Sequence, residues 1–160
     1  MTGRSHARYR RLFELARPID RDSLVTRLFS SSASGATIDL QGGTDTVTLA
    51  GGAVTVANVE NIIGSAGWDI ITIQNTGGTT NITGGASGDT ITAGAGVDHF
   101  IYVSTADSNS AGGTDTISGF NAAPAGDTID LSAIDADATS GGTNEAFSWI
   151  GLDGPFTAAG

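Results

Sequence analysis

Large apolar residues recur along this chain at an interval of nine. Ile38, Val47 and Val56 are nine apart, Ile62 and Ile71 resume the interval, and after a two-residue slip it continues through Ile82, Ile91 and Phe100. Several sit at the centre of a polar–apolar–polar triplet, such as Thr46-Val47-Thr48 or Thr90-Ile91-Thr92. Such alternation marks a half-buried strand, and Thr, Val and Ile favour one. A period of nine belongs neither to a helix nor to a continuous strand. It is the spacing of a unit made of a turn and a short strand, and two such units, eighteen residues, complete one coil stacked on the last.

The residues between the strands are turn formers. Two adjacent units occupy residues 84–92 and 93–101: Gly84-Gly85-Ala86-Ser87-Gly88-Asp89-Thr90-Ile91-Thr92, then Ala93-Gly94-Ala95-Gly96-Val97-Asp98-His99-Phe100-Ile101. In both, small residues fill the opening, Asp stands sixth and a large apolar residue eighth. Glycine tolerates positive φ, so such a run can fold with its carbonyl oxygens turned inward. Residues 64–72 are a third copy, ending in Asp69 and Ile71, with Ser65 in place of the second Gly. Thr44-Asp45-Thr46-Val47-Thr48, after Gly42-Gly43, is a degenerate one, and residues 75–83 keep Ile82 but carry Thr80 where the Asp belongs. A period that survives loss of the acid is a property of the coil itself.

Carbonyl oxygens gathered by a glycine turn, with an aspartate at its end, form a donor set for a hard cation; Ca2+ takes six to eight such oxygens. One buried apolar side chain per nine residues is a thin return for ordering the backbone, and an ion that binds only the folded form adds what the repeats lack. A lone Gly-x-Asp is more simply a β-turn; three copies on an apolar ladder outweigh that reading. The candidate ligands are Asp69, Asp89 and Asp98, with backbone oxygens from Gly64, Gly67, Gly85, Gly88, Gly94 and Gly96; Asp107, Asp115 and Asp45 are secondary candidates. Successive turns fall on opposite edges of the coil, so Asp89 is expected beside Asp69. Asp98 is expected beside Thr80 on one side and Asp115 on the other, with residues 104–113 looping out, and Asp107 is an alternative neighbour for Asp89.

Charge strengthens the case for cations. All seven Arg lie in the first 27 residues, where Glu14, Asp20 and Asp22 leave +4, and the other 14 acidic residues lie downstream with neither Lys nor Arg among them. A body so acidic repels itself unless cations bind, and it does not suit nucleic acid. The chain has no Cys, so disulfides and thiolate chemistry are excluded. His-Glu-x-x-His, Gly-x-Ser-x-Gly and P-loop patterns are absent, which argues against an enzyme. No apolar run is long enough for a membrane span or for a signal peptide.

The units resemble the nonapeptide calcium-binding repeats of RTX, or hemolysin-type, proteins. The later runs Thr114-Asp115-Thr116-Ile117-Ser118-Gly119-Phe120, Asp127-Thr128-Ile129-Asp130-Leu131 and Phe147-Ser148-Trp149-Ile150-Gly151 are similar to the segment after the repeats in the C-terminal domain of serralysin-type metalloproteases. The resemblance implies an all-β, right-handed parallel β-roll. It further implies a calcium-binding module that folds outside the cell and serves secretion through a type I apparatus, in a secreted, extracellular protein exported without an N-terminal signal peptide. The alternative is a piece of a large RTX adhesin with an extracellular binding role, which the degenerate early ladder favours.

Four regions are expected. Residues 1–29 form a basic segment with short helices over 9–16 and 23–29; residues 30–63 hold degenerate repeats and lead-in strands; residues 64–101 are the calcium-binding core; residues 102–160 hold C-terminal strands of a truncated serralysin-like region.

Overall fold

The structure, a computed structural model, describes residues 25–27 and 35–135. Every named strand pairing is parallel, and consecutive strands alternate between two sheets. One sheet holds β1 (Val25–Arg27), β3 (Thr46–Thr48), β5 (Asn61–Ile63), β7 (Thr76–Thr83), β9 (Ala95–Ile101) and β11 (Thr128–Asp130), in that order. The other holds β2 (Ala36–Asp39), β4 (Gly52–Ala57), β6 (Asp69–Ile73), β8 (Thr90–Thr92) and β10 (Thr116–Ser118). The chain is an all-β parallel solenoid.

The nine-residue ladder becomes two stacks of side chains pointing between the sheets. Val47, Ile62, Ile82, Phe100 and Ile129 share one register, and Val54, Ile71, Ile91 and Ile117 the other. Ile38, Val56 and Ile73 form a further row beside the second stack. Units nine apart therefore lie in opposite sheets, and units about one coil apart are hydrogen-bonded neighbours. The two-residue slip falls between β6 and β7, where the ladder to β9 is irregular between Thr76 and Thr79.

One expectation changes here. In place of the helix expected over 23–29, Val25–Arg27 is a strand paired with Thr46–Thr48. Val25 and Thr26 are β-branched, and the open edge of β3 gives them a ladder that an isolated helical turn cannot match. The helix expected over 9–16 and the run 147–151 lie outside the described residues. Downstream, the strand runs expected near Ile117 and Ile129 are β10 and β11.

Candidate metal centre

Because strands alternate between sheets, turns alternate between the two edges of the roll. The turns before β6, β8 and β10 stack on the first edge, and those before β3, β5, β7, β9 and β11 on the second. Stacking is close. A Cβ on Gly64 would overlap the Gly84 carbonyl oxygen, and one on Gly85, at φ 98°, would overlap the Ser65 carbonyl. The fourth position of the unit takes positive φ in four turns, at Gly43, Gly78, Ser87 and Gly96. Glycine is the residue that accepts this without strain, and Ser87 departs from the rule.

The first edge carries a column of carboxylates. Asp69 and Asp89 are buried at the start of their strands, and Asp115 precedes β10. Asp69 N–H donates to Asp89 Oδ1 at 2.9 Å, and Asp89 N–H donates to Asp115 Oδ1 at 2.8 Å. Asp69 Oδ2 accepts from the N–H and hydroxyl of Ser65. Asp107 is buried on the same edge and caps its own turn, its Oδ2 accepting from the Val103 and Ser104 N–H groups. One oxygen of each carboxylate in the column, Asp69 Oδ1, Asp89 Oδ2 and Asp115 Oδ2, is buried without a hydrogen-bond partner. A Cβ on Gly84 would approach that Asp89 Oδ2 to 2.6 Å, so only glycine leaves the space beside it free.

On the second edge Asp98 Oδ2 accepts from Gly94 N–H at 2.9 Å, while Asp98 Oδ1 is buried and unpartnered. Thr80 is the register partner of Asp98 on one side, and its hydroxyl favours the ionised carboxylate. From the other, Asp98 N–H donates to Asp127 Oδ1 at 2.9 Å, and Asp127 Oδ2 accepts from Asn121 N–H. Asp45 is buried on this edge three coils upstream, its N–H donating to Glu60 Oε2.

Asp115 is thus the neighbour of Asp89 and not of Asp98. Residues 104–113 do loop out, but β9 and β10 lie in different sheets, so the whole excursion stays on the first edge. Asp127 takes the place beside Asp98, across a 29-residue separation that nine-residue counting does not reach. Its signal in the sequence is the triplet Asp127-Thr128-Ile129, which repeats Asp89-Thr90-Ile91 and Asp115-Thr116-Ile117.

Burial pushes the Asp89 carboxyl up to about 7, with the charges of Asp115, Asp69 and Asp107 adding to it and the Asp69 N–H opposing. Burial likewise raises Asp98 and Asp115 above the usual carboxylate range, against the opposing Gly94 N–H and Asp89 N–H respectively. The half-buried Tyr102 hydroxyl is raised by burial first and then by the Asp115 carboxylate. Among the described residues no three His, Cys, Asp or Glu side chains converge as a compact metal cluster. Carboxylates one per coil, interleaved with turn carbonyls, are the arrangement present.

A parallel solenoid with aspartates stacked at its turn edges defines a β-roll of the RTX type. The chain belongs to the Peptidase M10 serralysin C-terminal family, whose model matches residues 28–150. The match is to the non-catalytic C-terminal domain of serralysin-type proteases, and such domains belong to secreted proteins. No curated protein and no solved structure matches the chain. Among the described residues no helix is long and apolar enough to cross a membrane.

Proposed function

We propose that this domain binds calcium at its turn edges and completes its folding when it meets calcium outside the cell, in the service of a protein exported by a type I apparatus. The observation that carries this reading is the set of buried carboxylate oxygens without partners, Asp69 Oδ1, Asp89 Oδ2, Asp98 Oδ1 and Asp115 Oδ2. A buried unpaired carboxylate oxygen is costly, and downstream of residue 27 the sequence has no Lys or Arg to compensate it. Hard anionic oxygens with adjacent glycine-turn carbonyls suit calcium. Asp69, Asp89, Asp98 and Asp115 would hold the ions, with backbone oxygens of Gly64, Gly67, Gly85, Gly88, Gly94 and Gly96; Asp127 and Asp107, already occupied by backbone N–H groups, brace the turns.

A bound cation neutralises the column. Extracellular modules bind calcium at about 10⁻⁴ to 10⁻³ M, so sites of this class fill outside the cell and stay empty at cytosolic calcium. The test is calorimetric titration with calcium, with magnesium as control, followed by circular dichroism. Calcium uptake near millimolar concentration with a gain of strand signal is expected. Absence of uptake, with an unchanged spectrum in chelator, would remove calcium from the account.

A further inference from the structure

The two halves of the roll are held together differently. Of the twelve buried apolar side chains among the described residues, ten precede residue 84 and only Ile91 and Phe100 follow it. Upstream strands β4 and β6 each bury two side chains in the interior, Val54 with Val56 and Ile71 with Ile73, whereas β8 buries Ile91 alone. The unpartnered carboxylate oxygens of Asp89, Asp98 and Asp115 lie in the downstream half, and that of Asp69 lies in the last upstream turn of the first edge, facing Asp89 across the junction.

On the upstream second edge Asp45 and Glu60 close the outermost turns, and the turn next to the boundary is closed by neutral groups. Asn75 is buried in the turn where the Asp-less unit begins. Its Oδ1 accepts from Val59 N–H, and its Nδ2 donates to Val59 O at 2.7 Å and to Thr80 Oγ1 at 2.8 Å. Thr80, buried at the sixth position in place of Asp, therefore accepts from Asn75, and it pairs with Asp98 in the ladder to β9. One turn further up, Asn61 donates through both its backbone and its side chain to Asp45 O, and Asn81 Nδ2 donates to Asn61 Oδ1. An amide matched on both sides needs no ion.

We infer that the roll is built as a cation-independent nucleus, residues 36–83, closed by the Asn75–Thr80 pair and the apolar stack, and a cation-dependent extension, residues 84–130, that folds onto it. In a stacked-coil protein each coil contacts only its neighbours, so one half can stand while the other is loose. The nucleus presents the edges of β6 and β7 as the template for β8 and β9. This division rests on the calcium reading above, and its test separates the two.

Amide hydrogen exchange of the full chain, in chelator and in millimolar calcium, reads both halves at once. The expected result is protection of β4 to β7 in both conditions, with protection of β8 to β11 appearing only with calcium. Loss of protection in both halves together on chelation would overturn the division while leaving calcium binding in place. Full protection throughout in chelator would overturn both. In Asn75→Ala, exchange of β5 and β7 in chelator should quicken by roughly tenfold or more, with the calcium-induced protection downstream retained. Unchanged exchange at β5 and β7 would show that Asn75 closes nothing.

Discussion

The Asp69 N–H points at the Asp89 carboxylate of the next coil, 2.9 Å away. The acid at the head of one strand is thus a hydrogen-bond acceptor for the strand before it as well as a candidate metal ligand. Substitution can separate the two duties. Asp89→Asn keeps the acceptor and removes the charge, so the roll should become more stable in chelator while calcium affinity falls by at least tenfold. Asp89→Ala loses both and should cost about 1–3 kcal/mol even in chelator. Urea melts with and without calcium check the pair; equal effects of Asn and Ala would disprove the separation.

The raised carboxyl values fix the sign of the pH dependence. Asp89, at about 7 against an ordinary 3.8, holds a proton in the folded chain over a range where the unfolded chain has lost it. Its contribution to stability without calcium is therefore fully present below the ordinary carboxylate range and declines as pH rises from about 4 towards 7. Asp98 and Asp115, also raised, act in the same direction. Asp39 and Asp130, held low by hydrogen bonds, act in the opposite direction only below about 4. With calcium the ions require ionised carboxylates, so apparent affinity should weaken as pH falls below about 7. A chelator-state melting temperature that climbs between about pH 5 and pH 7 would contradict this.

Ser87 stands at φ 89°, in the position where neighbouring turns use Gly78 and Gly96. Ser87→Gly should relieve the strain and raise stability by about 1 kcal/mol. Gly85→Ala is the opposite case, at φ 98° and against the Ser65 carbonyl, and should cost about 2 kcal/mol or more. Thermal melts of the two variants should move in opposite directions.

Phe100 and Ile129 share a register, yet Phe100 is 1% exposed and Ile129 52%. The inward position is buried only where a later rung covers it. Phe100→Ala should cost about 3–5 kcal/mol, whereas Ile129→Ala should cost about 1 kcal/mol or less. Comparable losses in denaturant melts would mean that Ile129 is covered in solution.

The apolar period makes the coil legible, since a side chain buried between two sheets must recur at each strand. The pairing of Asp69 with Asp89 is legible too, because both lie in units of nearly standard length. Asp115 and Asp127 are harder to place. Their turns carry inserts, at residues 104–113 and 119–126, that add length without adding a strand, so counting residues assigns the wrong edge. Counting strands assigns the right one. Val25–Arg27 is hidden for a different reason: its partner strand is 21 residues away, and the local pattern carries a helical spacing of Leu24 and Leu28.

The alternation of edges also limits how such a chain can change its length through descent. Duplicating a single nine-residue unit would move every downstream aspartate to the opposite edge and break each bond of the Asp69–Asp89 kind across the junction. Duplicating a pair of units leaves every partnership intact, and an insert confined to one turn does so as well. Lineages of this roll should therefore differ by whole pairs of repeats or by enlarged turns, and rarely by an odd unit.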